Sequence, residues 1–218
     1  MIPLHDSRNF VGKRNAMNLL DRALNKIGYT RSVNVEQKGS AKEAAASVIP
    51  SVRVNNDTAL KFTAVFAAIR LRSENLASLP KRVSMETSSG MVVDTKHPAS
   101  IVIREKPNGY MNTFTFWEYL NSCLDGWGNA FAIIESDSRG YPAALHPVHP
   151  RDVNVIYKNR EKFFKVSATG FSGMYEDAEI CHFFTLSNNG ITGINPITYN
   201  ADAISLGISA TKFGKEFF

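Results

Sequence analysis

Proline, glycine and tryptophan punctuate residues 106–130 so closely that one order of elements, a turn, then a helix, then a strand, is strongly favoured. Pro107 fixes its own φ and pushes Lys106 out of the helical region, so Lys106-Pro107-Asn108-Gly109 reads as an ordered turn. From Thr113 the spacing of Phe116, Trp117, Leu120 and Leu124 places four apolar side chains along one helical stripe, while Glu118, Asn121 and Asp125 point elsewhere. Gly126 is the expected stop, and Gly128 releases the chain into a strand over residues 130–134. Asn129, a polar residue at the head of that apolar strand, is expected to hydrogen-bond the backbone of a neighbouring turn.

Around this unit the pattern is helical first and β-rich afterwards. A helix is expected over residues 58–78 with Asp57 as its N-cap, carrying Phe62, Val65, Phe66, Ile69 and Leu76 on one side and ending at Leu79-Pro80. Residues 81–85 and 91–94 flank Thr87-Ser88-Ser89-Gly90 and read as a β-hairpin, followed by a short helical turn at 101–103. Strands are expected at 131–135, 143–148, 153–157, 163–167 and 180–184, and Val153, Val155 and Tyr157 alternate as in a sheet with one covered face. A last helix is read from Pro196 or Ile197 to the end, with Ile204, Ile208, Thr211 and Lys212 in register. The fold class is therefore α+β.

Residues 1–56 read differently. Positions 16–27 form an amphipathic helix with Met17, Leu20, Leu24 and Ile27 on one face, too short to be stable without docking. Positions 30–56 are polar and mixed, a linker or partly disordered arm. The net charge of +5 is not spread evenly: residues 1–53 carry nine Lys/Arg against four Asp/Glu, and the remainder carries sixteen of each. The excess, including Lys13, Arg14, Arg22, Lys26 and Arg31, suits DNA phosphates, an acidic partner surface or a solvated tail. Two domains follow as an expectation, a basic arm over 1–56 and an α+β body over 57–218.

Chemistry is sparse. The chain has no P-loop, no His-Glu-x-x-His and no Gly-x-Ser-x-Gly turn. Gly126-Trp127-Gly128 lacks the third glycine of a dinucleotide loop and precedes a strand. His146 and His149 are three apart, but Pro147 and Pro150 make the segment extended and no further ligands complete a metal set. Cys181 and His182 point to opposite faces of a strand, and Cys123 and Cys181 read as buried reduced thiols. Trp117 and Trp127 are read as packing residues rather than base-stacking platforms. No catalytic residue, cofactor or metal is expected. No run of about 18 uncharged apolar residues exists for a membrane span, and the N-terminus lacks the apolar core of a secretion signal, so an intracellular setting is the default.

Seven elements occur in the order of the central signature of tailed-phage portal proteins of the HK97 type. They are Leu79-Pro80 at a helix end, His97-Pro98, Lys106-Pro107-Asn108, Phe116-Trp117, Gly128-Asn129-Ala130, Gly140-Tyr141-Pro142 with Leu145-His146-Pro147-Val148-His149-Pro150, and Gly193-Ile194-Asn195-Pro196-Ile197. Over roughly residues 57–218 the chain resembles the N-terminal half of that family, mainly its wing region. The resemblance implies long helices packed on a mixed or antiparallel sheet behind a flexible N-terminal arm. It also implies a structural subunit of a dodecameric ring at one capsid vertex, through which double-stranded DNA is packaged and ejected. The partners implied are the major capsid protein, terminase and the head-tail connector, with assembly in the bacterial host cytoplasm and residence in the virion. In that frame Pro80, Pro107, Asn108, Trp117, Gly128 and Asn129 are framework residues, and the chain looks truncated before stem, clip and crown. Two other readings stay open: a Mg²⁺-dependent nucleic-acid-processing enzyme using Asp125, Glu135 and Asp137, and a monomeric portal-derived interaction module.

Overall fold

The structure, a computed structural model, describes residues 53–217. The basic arm positions Lys13, Arg14, Arg22, Lys26 and Arg31, the amphipathic stretch 16–27 and most of the linker lie outside the described residues.

The first helical segment is two helices rather than the one expected over 58–78. Helix α1 (Asn56–Leu60) is capped by Asn55, whose side chain accepts from the Thr58 N–H while the Thr58 hydroxyl accepts from the Asn55 N–H. Asp57 is thus not the cap; it sits in the first turn and pairs with Arg151. Helix α2 (Thr63–Ser78) starts after Phe62 swings to an extended conformation, φ −82° and ψ 116°. The break turns the Phe62 ring against Gly207, where an added Cβ would lie 3.1 Å from two ring carbons. A tertiary contact overrides local helix propensity here. Leu79, extended ahead of Pro80, ends α2 as expected.

The hairpin pairs β1 (Ser84–Thr87) with β2 (Gly90–Val93), leaving Ser88-Ser89 as a two-residue loop. Helix α3 (Pro98–Arg104) is longer than the turn expected at 101–103, because Pro98 occupies its first position and His97 caps it through the Ala99 N–H. Helix α4 (Thr113–Trp127) is capped by Asn112 and runs through Gly126; Gly128, with φ 76°, is the left-handed residue that stops it. The stop is therefore two residues later than the sequence suggested.

Eight residues, β3 (Asn129–Ser136), form the centre of the first three-stranded sheet, flanked by β4 (Pro142–Val148) and β8 (Ile180–Phe184). The second sheet has the order β5 (Val153–Lys158), β6 (Glu161–Val166), β7 (Gly173–Glu176), reached through a 3₁₀ turn at Pro150–Asp152. All strand pairs are antiparallel, which settles the mixed-or-antiparallel alternative. Strand β7 has no counterpart in the expected list; it is a four-residue edge with only Tyr175 partly buried, so it lacks an alternating signal. The final helical segment also divides, into α5 (Pro196–Tyr199) and α6 (Ala201–Phe217), at Asn200.

Strand β3 explains the layering. Its first five residues are all buried, so it is covered on both faces. Ala130 and Ala132 face α4 and pack with Val102, Phe116, Leu120, Cys123 and Leu145. Phe131 and Ile133 face the second sheet and pack with Val148, Val155, Phe164, Val166 and Ile180. Small side chains meet the helix and large ones fill the space between sheets, giving helix, sheet and sheet layers over two cores.

Candidate functional site

Polar residues converge where α4 hands over to β3. The backbone reverses at Gly128, and an added Cβ there would lie 2.1 Å from the Ile194 carbonyl oxygen. On the facing segment, a Cβ at Gly193 would lie 2.0 Å from the Gly128 carbonyl oxygen. Two glycines therefore let two backbone segments touch where no side chain fits.

Asn129, 3% exposed, locks that crossing. Its Nδ2 donates to the Gly193 carbonyl at 3.1 Å and to the Trp127 carbonyl at 3.3 Å. Its Oδ1 accepts from the Gly193 N–H at 2.9 Å and faces His182 Nε2 at 3.0 Å. Because Oδ1 can only accept, His182 carries its proton on Nε2, and Nδ1 is left buried without a partner. The imidazole stacks on Phe131 at a centroid distance of 4.5 Å and meets the Phe164 ring edge-on. Burial, reinforced by the nearby Lys162 charge, pushes its pKa down to about 3, so it stays neutral.

A second chain of amides runs beside the first. Asn56 donates to the Gly126 carbonyl at 2.6 Å and accepts from Asn195 Nδ2 at 3.1 Å. The Asn195 carbonyl oxygen in turn caps α5 through the Ile197 and Thr198 N–H groups. Asn56 and Asn195 thus join α1, the end of α4 and α5. The Asn195-Pro196 pair carried a readable N-cap signal; Asn56 carried none, because its partners lie 70 and 139 positions away.

The opening turn is held in the same manner. Pro107 is fully buried, and Asn108 donates to the Leu145 carbonyl at 2.8 Å while accepting from the Tyr110 and Met111 N–H groups. Leu145 N–H returns a bond to the Pro107 carbonyl at 2.6 Å, tying the turn to β4. Trp117 is half-buried; its indole N–H donates to the Ile103 carbonyl at 3.1 Å, with Lys81 5.3 Å above the ring. Pro80, exposed, follows the extended residue that ends α2.

The residues weighed for chemistry are dispersed. Asp125 is buried, paired at 3.3 Å with Arg72, and its Oδ2 has no partner; burial raises its pKa against the opposing pull of Arg72. This corrects the reading that it points away from the packed side. Glu135 Oε2 lies 2.7 Å from His146 Nε2, and Asp137 accepts from the Arg139 and Tyr141 N–H groups at its own turn. His149 caps the 3₁₀ turn through Nδ1 and meets Trp127 edge-on at 4.6 Å. Among the described residues no three His, Cys, Asp or Glu side chains gather as a metal site, and no helix is long and apolar enough to cross a membrane. Both cysteines are unbridged; burial pushes the Cys123 thiol up to about 12 and raises Cys181 as well, so neither is a thiolate at neutral pH.

Residues 63–218 match the family model described as phage portal protein. The portal protein of Enterobacteria phage HK97 is 23% identical over 167 residues, covering 76% of this chain and 39% of that protein. Among solved structures, the neck of an empty gene transfer agent particle computed with C6 symmetry aligns with TM-score 0.63 and 17% identity, over 81% of this chain and 49% of the other. The neck of the native particle computed with C12 symmetry gives TM-score 0.57 and 16% identity, over 74% and 44%. The chain spans less than half the length of each of these relatives. At such identities the likeness to the two necks is one of fold.

Proposed function

Since the chain belongs to the phage portal protein family, we propose that it is a structural subunit of a ring at one vertex of a phage-like particle. The family match over residues 63–218 carries this reading, and the fold shared with necks computed under C6 and C12 symmetry supports a ring of twelve. Closed cyclic assembly requires each copy to present two different surfaces to its neighbours. Double-stranded DNA passes through the ring during packaging and ejection. Terminase, the head-tail connector and the major capsid protein are its partners, and assembly takes place in the bacterial host cytoplasm.

The subunit performs no bond chemistry in this reading; its functional residues hold shape. Asn129, Gly128, Asn108, Pro107, Trp117 and Pro80 act as framework residues that fix the junction of helices and sheets from which the ring is built. The basic residues Lys13, Arg14, Arg22, Lys26 and Arg31 contact packaged DNA or the surrounding capsid protein, motivated by the charge excess of residues 1–53. Salt separates those partners: contact with phosphates collapses between low and physiological salt, whereas apolar docking does not.

Native mass spectrometry of the full-length gene product tests the assembly. A closed species of about twelve copies is expected; a persistent monomer at micromolar concentration sinks the ring and favours an isolated interaction module.

A further inference from the structure

Asp125 stands where a carboxylate is poorly served. Its side chain is 7% exposed, and Arg72 reaches only Oδ1, at 3.3 Å, from a side chain that is itself 67% exposed. Oδ2 is buried and has no partner among the described residues. Asp125 also lies in the last turn of α4, where the helix carbonyls present the negative end of the dipole and an acidic side chain is disfavoured. An apolar or amide side chain would fill the same place without burying a half-satisfied charge. The residue lines a cavity of about 430 Å³ bounded by α2, the end of α4, the segment after β8, and α5. Ile69, Ile194 and Pro196 give it apolar walls, and Leu186 and Tyr199 line it while 79% and 77% exposed. Pockets that hold small ligands or single side chains have volumes of roughly 300 to 1,000 Å³.

We infer that this cavity binds a primary ammonium group on an alkyl stem, the ammonium donating to Asp125 Oδ2 and the stem lying on Ile69, Ile194 and Pro196. Arg72 already holds Oδ1, so the open oxygen suits a compact point charge rather than a guanidinium fork, which uses both carboxylate oxygens. A divalent metal needs several oxygen ligands, and among the described residues no three His, Cys, Asp or Glu side chains gather as a metal site. An anion would meet both the carboxylate and the negative end of α4. An ammonium answers both, and the Tyr199 ring on the same cavity is a further favourable surface for a cation. The same group ends a lysine side chain of a neighbouring copy and a free small amine, and the cavity chemistry is common to the two.

Ligand-observed saturation-transfer NMR on the full chain tests the assignment, with n-butylammonium as the probe and n-butanol as the uncharged probe of the same stem. n-Butylammonium is expected to bind about tenfold more tightly than n-butanol, and Asp125→Asn is expected to remove that difference. Thermal melts check that the variant folds. Tyr199→Ala, a change at an exposed position, keeps the test decisive if Asp125→Asn unfolds; it is expected to weaken n-butylammonium about threefold. Equal binding of the two probes, or n-butylammonium binding untouched by either substitution, overturns the assignment. Mass photometry then separates the two sources. Oligomers that come apart when n-butylammonium is added identify a lysine of a neighbouring copy, and oligomers that persist identify a free amine. The probe titration reads the cavity whether or not rings form, so its failure leaves the ring standing and a missing ring leaves the cavity standing.

Discussion

Replacing Asn129 by Ala removes both halves of the amide that fastens the start of β3 to Gly193. Three groups then lose a buried partner: the Gly193 N–H, the Gly193 carbonyl and the His182 Nε2–H. Each unsatisfied buried group costs about 1 to 3 kcal/mol, and the weaker 3.3 Å bond to Trp127 adds little. A cavity of about 20 Å³ lined by Asn129, Asn154 and Thr192 offers room for roughly one water, which offsets part of the loss. The net destabilisation expected for Asn129→Ala is about 3 kcal/mol, a large share of a typical domain's stability. Urea titration followed by tryptophan fluorescence measures it, since Trp127 adjoins the site. A double-mutant cycle with His182→Leu isolates the Asn129 to His182 bond, and the coupling energy expected is about 1 kcal/mol. A loss below about 1 kcal/mol for Asn129→Ala, with an unchanged urea slope, would refute the claim that this amide locks the crossing.

Three further outcomes follow from the same geometry. Gly128→Ala combines a left-handed φ of 76° with a Cβ 2.1 Å from the Ile194 oxygen, so it is expected to cost at least about 2 kcal/mol by thermal melt; Gly140→Ala, also left-handed at 81° but with open space around it, is expected to cost only the backbone strain of about 1 kcal/mol. His182 contributes a pH dependence with a definite sign. Its folded pKa of about 3 lies below the unfolded value near 6.5, so above pH 6.5 it adds none; as pH falls from there the unfolded chain takes up a proton that the folded one refuses. Stability is lost at up to roughly 1.4 kcal/mol per pH unit until about pH 3, and a His182→Gln variant is expected to show a shallower slope between pH 6 and 4 in urea titrations. Trp117→Phe keeps the ring against Phe116 but leaves the Ile103 carbonyl without its indole donor, a loss of about 1 kcal/mol that thermal melts resolve.

Local signals in the sequence were reliable where a rigid residue imposed its own geometry. Pro107 and Asn108 made a turn, and Leu79-Pro80 ended a helix, because their constraints act within two or three residues. The alternation of Cys181 and His182 was also legible: one packs against the α4 layer and the other against Phe131. What failed depended on distant partners. The choice between Gly126 and Gly128 as the helix stop is made by the Ile194 backbone, which only a left-handed glycine lets approach. The break at Phe62 is made by Gly207, and the burial of Asp125 by its surroundings at the end of α4. Asn129 could be read as a residue bonded to a nearby turn, but neither Gly193 nor His182 could be named as its partners, since they lie 64 and 53 positions away. Family resemblance supplied the link that periodicity lacked, because its signature places Gly128-Asn129 and Gly193 in one ordered set.

Assembly into a ring is the centre of this account, and rotational analysis of electron micrographs of the full-length gene product tests it most directly. Top views with a central opening and twelve-fold rotational power are the predicted result. A field of single subunits, or of closed two-fold dimers, at concentrations where the protein is folded would contradict it.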